Sequence, residues 1–390
     1  MPDRVLAAVR ALPGGPAVLA ALNGRDDVWI VGGAVRDALL DRPARDIDLV
    51  VAGDAHALAA ELGDVAEVHE RFGTSTVQVD GGGLVNVATA RTETYAEPGA
   101  LPEVRPGSLR DDLARRDFTV NAMATDLGGE LHTVPNAAED LAARRLRVLH
   151  DRSFLDDPTR LWRLARYAAR LGFSIEPHTE QLARAAVEGG ALGTVTGPRL
   201  GSELALALNE PDPLAALVAA HELGLLPAGM APRRGLTARA LELLPAEDGH
   251  PGVLALAAAC GAVPEPRLRA WLDDLSVAAR ERDGLIAAAT GAAGLAEALE
   301  AARRPSEIAA AARRRSPEEV ALAGALGPAD AARAWLDELR DVHLEITGDD
   351  LLAEGIPPGP EMGRRLGRAL VAKLDGEAPD RAAELAAALA

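Results

Sequence analysis

Residues 28–51 of the chain read VWIVGGAVRDALLDRPARDIDLVV. Short apolar runs bounded by turn residues are typical of buried strands, and glycine pairs mark turns. The stretch therefore predicts four elements in succession: a buried strand at 28–31, a turn at Gly32-Gly33, a short helix at 34–40 and a second strand at 47–51. This pattern predicts a mixed sheet with helices packed against it.

Two carboxylates stand at the start of the second predicted strand, at Asp46 and Asp48. Side chains i and i+2 of a strand point to the same face, so the two carboxylates are expected side by side. Hard oxygen ligands of this kind suit Mg²⁺, which proteins usually hold with one or two carboxylates while substrate phosphates complete the coordination. We therefore predict that Asp46 and Asp48 are catalytic residues that hold Mg²⁺.

The glycine turn ahead of these carboxylates has the features of a phosphate site. Gly32 and Gly33 open a helix whose first N–H groups lack partners within the helix and can face a phosphate. Arg36, in the first turn, carries a guanidinium that can bind two phosphate oxygens. Either motif alone is usually a solvated turn or strand end. A triphosphate site beside a metal site, in this order and spacing, favours nucleotidyl transfer with two metal ions.

Further motifs follow along the chain. They are RRDFTVNAMA at 115–124, DDPTR at 156–160 followed by LWRLARYAARLGF, and, near the C-terminus, ITGDDL at 346–351 with GIPPGP at 355–360. With residues 28–51 in front of them, these segments resemble, in order, the class II tRNA nucleotidyltransferase and bacterial poly(A) polymerase family. The resemblance covers most of residues 25–210 and roughly 344–390, whereas residues 211–340 carry no motif that we can place.

The resemblance implies that the RRDFTVNAMA segment binds the ribose through Arg116, Asp117 and Asn121. Asp117 can accept hydrogen bonds from the 2′- and 3′-hydroxyls while a neighbouring donor holds it in place. A helix N-cap by Asp117 is an alternative that is compatible with this role.

The resemblance also implies that the DDPTR helix recognises the base. Asp157 and Arg160 are three residues apart and are expected to be neighbours on one helix face. The carboxylate can accept from the exocyclic amine of cytosine or adenine, whereas uracil and guanine place a carbonyl there and would leave it unpaired. The pair would thus select CTP and ATP without a template. The alternative is an ordinary i,i+3 salt bridge.

Other arginines extend these sites. Arg163 lies on the same predicted face and is assigned to base recognition, while Arg166 and Arg170 fit a solvated face as well as a track for triphosphate or RNA phosphates. In the tail, the glycine- and proline-rich segment precedes a predicted helix that carries Arg364, Arg365 and Arg368. These arginines can bind RNA phosphates; the alternative is that they are ordinary surface residues.

The chain departs from the family pattern at two places. The family carries a third carboxylate on the strand that here reads LVNVATAR, with Asn86 in the acidic position. An amide oxygen can bind Mg²⁺ without adding charge, so Asn86 is a candidate third metal-site residue, with water or Glu93 as alternatives. Val134 stands where the family has an aspartate, in the segment that connects head and neck.

Composition narrows the class of protein. The 390 residues carry a net charge of −18, which taken alone argues against a nucleic-acid partner, but arginines cluster at 110–116, 144–152 and 313–315. Cys260 is the only cysteine, so an internal disulfide and a thiolate metal cluster are excluded. The charged N-terminus does not fit a signal peptide, and no apolar run fits a membrane span. We predict a cytoplasmic protein without a membrane partner, and the sequence leaves its oligomeric state open.

The predicted fold class is α+β, with a small mixed β-sheet nucleotidyltransferase head followed by an extended all-helical neck, body and tail. Strand signals fall at 28–31, 47–51, 74–79 and 85–89, the turn Asp80-Gly81-Gly82-Gly83 predicts a hairpin between the last two, and no convincing strand follows residue 139. With the resemblance, the predicted domains are a catalytic head at 1–145, a helical neck with the base-recognition helix at 146–210, a helical body at 211–335 and a tRNA-binding tail at 336–390.

The function that the resemblance implies is template-independent addition of C, A or both from CTP and ATP to the 3′ end of tRNA, with Mg²⁺ as cofactor. Partial activity, either CC-adding or A-adding, and poly(A) polymerase share the head motifs and stay open. A non-catalytic tRNA-binding relative is a further alternative, motivated by Asn86 and Val134. The presence of Asp46, Asp48 and Asp117 argues against it.

Overall fold

The computed structural model describes residues 2–390, with side chains from residue 4 onward. The chain divides into two compact units. The first runs to Thr196 and includes Leu223–Leu225, and the second comprises Gly197–Glu222 and Leu226–Ala390. All strands of the described residues lie in the first unit, and the second is helical, as an α+β chain of this order predicts. The finer division into head, neck, body and tail stays a prediction.

The first unit alternates short helices and strands. Its helices are α1 Pro2–Arg10, α2 Gly15–Ala21, α3 Gly33–Leu39, α4 Ala55–Leu62, α5 Leu109–Ala114, α6 Ala137–Ala142, α7 Ser153–Asp156, α8 Thr159–Leu171 and α9 Pro177–Glu188. Its strands are β1 Val28–Val31, β2 Ile47–Val51, β3 Gly63–His69, β4 Thr74–Val79, β5 Leu84–Thr89, β6 Arg91–Thr94, β7 Glu103–Pro106, β8 Met123–Asp126, β9 Leu131–Thr133, β10 Arg145–Leu146 and β11 Ser174–Ile175.

Seven of these strands form one sheet in the order β3-β4-β5-β2-β1-β8-β9. β2 and β5 run parallel, whereas the other neighbours are antiparallel, so the sheet is mixed as predicted. The turn between β4 and β5 places Gly81, Gly82 and Gly83 at φ of 84, 82 and 103°, where residues with a Cβ are strained. The predicted hairpin at this turn is therefore confirmed.

Burial alternates along the strands, so one face of the sheet is buried and the other is more exposed. On β4, Ser75, Val77 and Val79 are buried while the residues between them are more exposed. The register pairs Asp48 of β2 with Asn86 of β5, and Asn86 with Thr76 of β4, so these polar residues form one row across three strands. The fold thus assembles a polar row from segments that are far apart in the sequence.

Several strands carry no clear local signal in the sequence. β3, β6, β7, β8 and β9 lack strong alternation, and their pairing partners identify them only in three dimensions. The expectation that no strand follows residue 139 was wrong, because β10 and β11 pair in parallel through Arg145 with Ser174 and Leu146 with Ile175. Two residues are too few to show a strand periodicity, so tertiary pairing alone creates this ladder.

The second unit consists of helices joined by short loops. They are α10 Gly197–Leu208, α11 Pro213–Glu222, α12 Arg234–Leu241, α13 Pro251–Cys260, α14 Glu265–Asp274, α15 Ala279–Ala301, α16 Pro305–Ala312, α17 Pro317–Leu326, α18 Ala329–Asp337, α19 Gly348–Ala353, α20 Pro360–Leu374 and α21 Arg381–Leu389. Across the described residues, no single helix has the length and apolarity to cross a bilayer; α1 from Arg4 and α2 meet these criteria only as a pair bent by 119°.

Candidate active site

The two predicted metal carboxylates lie at the start of β2. Asp46 is exposed and precedes the strand, whereas Asp48 is half-buried within it. The side-chain amide of Asn86 donates to Asp48 Oδ1 at 3.0 Å, and Thr76 Oγ1 donates to Asn86 Oδ1 at 2.9 Å. Burial raises the pKa of Asp48 above its ordinary value, Asn86 and Arg116 oppose this shift, and the charge of Asp46 adds to it. A cation bound between the two carboxylates would stabilise their negative charges.

The glycine turn lies close to the side chains of Asp48 and Arg116. Gly32 has φ 68 and ψ −126°, a conformation open to glycine and costly for other residues, and α3 starts at the next residue. A Cβ at Gly32 would lie 3.0 Å from Arg116 Nη1 and 3.9 Å from Asp48 Oδ2. The Gly32 N–H donates to Met123 O at 3.1 Å, which fixes the turn on β8. Arg116, predicted for the ribose, therefore lies beside the glycine turn and the carboxylates.

Arg36 occupies the interior of the first unit. Its side chain is 2% exposed, Nη1 donates to Asn121 Oδ1 at 2.5 Å, and Nη2 lies 2.8 Å from Asp37 Oδ1. The guanidinium also lies over the Tyr167 ring, 5.4 Å from its centroid. Arg36 thus connects the helix after the glycine turn to the RRDFTVNAMA segment, and its direct contact with phosphate stays a prediction.

Asp117 is the centre of the predicted ribose site. Its Oδ1 accepts from Asn121 Nδ2 at 2.9 Å and from the Phe118 N–H at 2.8 Å, while Oδ2 accepts from Arg163 Nε at 2.8 Å. Although burial acts to raise it, the pKa of Asp117 is below its ordinary value because Arg163, Asn121 and Arg160 stabilise the charge. The N-cap alternative was wrong, since the short 3₁₀ turn that follows has Phe118 at its N-cap.

The base-recognition pair has a different geometry from the predicted one. α8 begins at Thr159, so Asp157 precedes the helix and accepts from Thr159 Oγ1 at 2.7 Å. Arg160 Nε lies 3.9 Å from Asp157 Oδ2, which is a loose ion pair. The Arg160 guanidinium is buried and donates to Ser153 Oγ and to Arg115 O, both at 2.8 Å. The Arg160 side chain is therefore held by Ser153 and the Arg115 carbonyl, and Asp157 is the more accessible member of the pair.

Some residues of the site had not been singled out from the sequence. Tyr167 lies under three guanidinium groups, at 5.4 Å from Arg36, 5.6 Å from Arg163 and 6.0 Å from Arg166. Cation–π contacts of this kind hold an aromatic ring and arginines together. The i, i+4 spacing of Arg163 and Tyr167 on α8 was the available signal.

Buried acids hold the neighbouring arginines. Asp112 is fully buried and pairs with Arg115 at 2.6 Å and with Arg116 at 2.9 Å. Their i, i+3 and i, i+4 spacing could have indicated this. Glu93, the alternative third metal-site acid, pairs with Arg115 at 2.8 Å and with Arg91 at 3.0 Å. It is thus engaged in a structural ion-pair cluster.

In the tail, the three predicted RNA-binding arginines of α20 differ in their surroundings. Arg365 Nη1 donates to Ala388 O at 3.1 Å, and Arg368 Nη2 donates to the same carbonyl at 3.1 Å, so both bind the C-terminal end of α21. Arg364 is 67% exposed, and its Nε and Nη2 donate to Glu361 Oε2 at 3.0 and 2.7 Å in an ion pair on the surface. Arg364 is therefore the member of the group best placed to meet a partner.

Comparisons with known proteins identify the family to which the chain belongs. The family described as "Poly A polymerase head domain" matches residues 28–147. A CC-adding tRNA nucleotidyltransferase of Deinococcus radiodurans is 34% identical over 91% of this chain and 91% of its own length. The chain belongs to the tRNA nucleotidyltransferase and poly(A) polymerase family. An A-adding tRNA nucleotidyltransferase of Geobacter sulfurreducens is 36% identical over 92% of this chain, which spans 44% of that relative's length.

Solved structures of CCA-adding enzymes have the same fold as this family member. An apo form superimposes with a TM-score of 0.81 at 28% identity, covering 99% of this chain and 95% of the other. The Thermotoga maritima CCA-adding enzyme complexed with tRNA gives a TM-score of 0.75 at 28% identity, covering 96% and 93%. A complex of a CCA-adding enzyme with CTP gives 0.79 at 27% identity, covering 99% and 97%. The predicted α+β fold is thereby confirmed.

Proposed function

We propose that this protein is a template-independent nucleotidyltransferase that adds C, A or both from CTP and ATP to the 3′ end of tRNA. The observation that carries the proposal is the convergence of Asp48, Arg116 and the positive-φ turn at Gly32 beside a second carboxylate, Asp46. A carboxylate pair next to a phosphate-binding turn and a guanidinium fits nucleotidyl transfer, in which catalysis is mostly positioning and electrostatic stabilisation. Relatives named for C and A addition support the substrate assignment.

Mg²⁺ is the proposed cofactor, and Asp46 and Asp48 are the residues that would hold it. Their carboxylates offer hard oxygen ligands, and burial, which is the main cause of the raised pKa of Asp48, makes its charged form costly, so that a bound divalent cation would stabilise it. When bound, Mg²⁺ would activate the terminal 3′-hydroxyl and neutralise charge on the α-phosphate and pyrophosphate.

The chain's own residues would bind and orient the nucleotide. Gly32 and Gly33 would face the triphosphate with bare backbone, and Arg116 would donate to its oxygens from the other side of the turn. Arg36 would act on the triphosphate by holding the helix that follows the turn. No covalent intermediate with the protein is required, since the tRNA 3′-hydroxyl would attack the α-phosphate directly while the bond to pyrophosphate breaks.

The ribose and base sites complete the proposal. Asp117 and Asn121 would accept from and donate to the ribose hydroxyls, with Arg163 keeping Asp117 ionised. Asp157 would accept from the exocyclic amine of cytosine or adenine, and Arg160 would donate to the ring nitrogen or carbonyl. Recognition of the amine explains selection of CTP and ATP over UTP and GTP.

Partial activity is a second candidate. Two relatives that each align with more than nine-tenths of this chain are named A-adding and CC-adding, respectively. A chain that shares this similarity with both can add C alone, A alone, or both in order. The predicted cytoplasmic location suits any of these activities on tRNA.

One assay tests the proposal and separates these activities. Transcripts of tRNA ending before CCA, after C and after CC are incubated with labelled CTP or ATP and Mg²⁺. Addition to all three transcripts supports a CCA-adding enzyme. Addition of C alone to the first two transcripts supports a CC-adding enzyme, and addition of A alone to the third supports an A-adding enzyme. Long A tracts on unrelated RNA would identify a poly(A) polymerase. No incorporation by folded protein, equal to the Asp46→Ala, Asp48→Ala control, would refute an enzymatic role.

A further inference from the structure

We infer that Thr76 and Asn86 position Asp48 through a hydrogen-bond relay, and that Asn86 serves the metal site as a positioning residue and not as a metal ligand. The inference rests on the proposed function and assigns Thr76 a role there. It starts from the sheet, where Asp48, Asn86 and Thr76 lie in register on β2, β5 and β4. Directly paired residues on neighbouring strands are close enough for their side chains to interact.

The chemistry of the groups fixes the direction of the relay. An ionised carboxylate only accepts hydrogen bonds, so the end of the Asn86 amide that faces Asp48 must be the NH₂ group, 3.0 Å from Oδ1. The amide oxygen then faces Thr76, whose hydroxyl can donate to it, at 2.9 Å. Rotating the amide by half a turn would place two oxygens together at Asp48. The observed orientation is the one that satisfies all three groups.

This orientation has two consequences for a cation. The amide oxygen of Asn86, the atom that could bind Mg²⁺, is already engaged by Thr76. Asp48 uses Oδ1 toward Asn86, and its Oδ2 lies 3.9 Å from the Cβ position of Gly32, on the side of the glycine turn. The relay therefore holds Asp48 Oδ1 and directs Oδ2 to the side where the triphosphate would bind.

The two roles of Asn86 predict opposite effects of Thr76→Val. If Asn86 positions Asp48, removing the hydroxyl frees the amide to rotate, Asp48 loses its fixed orientation and the cation binds more weakly. If Asn86 is a ligand, removing the hydroxyl frees the amide oxygen and the cation binds equally well or more tightly. Thr76→Ser is the matched control, because it keeps the donor. Asn86→Asp cannot decide, since an added carboxylate attracts a cation in both cases.

The test measures cation binding directly. The folded wild type, Thr76→Val and Thr76→Ser are titrated with Mn²⁺ in the presence of CTP and without tRNA, and free Mn²⁺ is followed by electron paramagnetic resonance. The Asp46→Ala, Asp48→Ala double variant supplies the blank, because Asp126, Glu130 and His132 form a second cluster with ligand atoms within 4.8 Å of one another. Thr76→Ala provides the same comparison if the valine variant melts at a lower temperature.

We expect Thr76→Val to raise the Mn²⁺ concentration at half-saturation about three- to tenfold, the factor that one lost hydrogen bond is worth, and Thr76→Ser to stay within about twofold of the wild type. Turnover of CTP at limiting Mg²⁺ should fall in the same order. Unchanged or tighter Mn²⁺ binding by Thr76→Val would overturn the relay. A wild type that fails to extend any tRNA transcript would instead refute the proposed function, and the Mn²⁺ comparison would still decide the relay.

Discussion

Asp117 and Arg163, which are 46 residues apart in the sequence, form an ion pair with Arg163 Nη2 2.7 Å from Asp117 Oδ2. The pair joins the RRDFTVNAMA segment to α8. Asn121 extends it, because its amide donates to Asp117 and its oxygen accepts from Arg36. The proposed triphosphate, ribose and base sites are thereby linked by one network of charged and polar side chains. A change at any of these residues is expected to affect more than one site.

The Asp117–Arg163 pair predicts a pH-dependent contribution to stability. The pKa of Asp117 is below its ordinary 3.8 in the folded protein, so its contribution is fully present above about pH 4 and is lost as the pH falls through the lower folded value. Asp117→Asn should lower the free energy of unfolding by about 3 kcal/mol at pH 7, because it removes the charged partner of Arg163 from a largely buried ion pair.

Urea unfolding at pH 7 and pH 3 measures this. The gap between wild type and variant should narrow at pH 3, because the carboxyl of Asp117 is then largely protonated in the unfolded chain while its lowered pKa keeps it more ionised in the folded protein. Asp151→Asn, at a residue whose side chain is 77% exposed, is the control and should change little at either pH. A gap of equal size at both pH values would show that the charge of Asp117 does not stabilise the fold.

The glycine turn predicts contrasting effects of two adjacent substitutions. Gly32→Ala must accommodate φ 68 and ψ −126°, and its Cβ would lie 3.0 Å from Arg116 Nη1. We expect kcat/KM for CTP to fall about a hundredfold, the cost of misplacing a reacting group by a fraction of an ångström to an ångström. Gly33→Ala lies at the start of α3, with its nearest contact, Arg36 Nη2, at 3.7 Å. Gly33→Ala keeps the backbone N–H and needs no positive φ, so it adds only a methyl group on the triphosphate side and should cost much less activity than Gly32→Ala; similar losses for both would rule out a special role of the Gly32 conformation.

The base site predicts a change in nucleotide selection. Asp157→Ala with Arg160→Ala should admit UTP and GTP while slowing CTP and ATP, because the acceptor for the exocyclic amine is gone. Arg160 also donates to Ser153 and Arg115, so the double variant is expected to melt at a lower temperature. Ser153→Ala removes one anchor without touching the base and is the matched control. Competition between labelled CTP and UTP measures selectivity; if preference for CTP survived the double change, the base would be read elsewhere.

The tail predicts that two neighbouring arginines have separable roles. Arg364→Ala removes an exposed side chain in a surface ion pair, so the melting temperature should stay the same, while the affinity for tRNA falls and its dependence on salt weakens. Arg365→Ala removes donors to Ala388 O and Leu389 O and should lower the melting temperature of the tail. Binding titrations at several salt concentrations test the first variant, and an unchanged salt dependence would count against RNA contact at Arg364.

Much of the head could be predicted because its signals are local. Apolar runs gave β1 and β2 at their observed bounds, and the glycines between β4 and β5 marked the hairpin. Strands without alternation, such as β3, and the two-residue ladder of β10 and β11 gave no local signal. Their existence depends on partners elsewhere in the chain, and a single sequence does not specify those partners by spacing.

The sequence by itself determined the strand–turn–helix–strand order, the glycine turn and the carboxylates Asp46 and Asp48, because backbone preference and residue spacing act over a few positions. Tertiary structure alone decided which side chains meet. It placed Asn86 against Asp48 across 38 residues and Arg36 against Asn121 across 85. Strand register set the first contact, and burial of Arg36 and Asn121 favoured the second, because buried polar groups require hydrogen-bond partners.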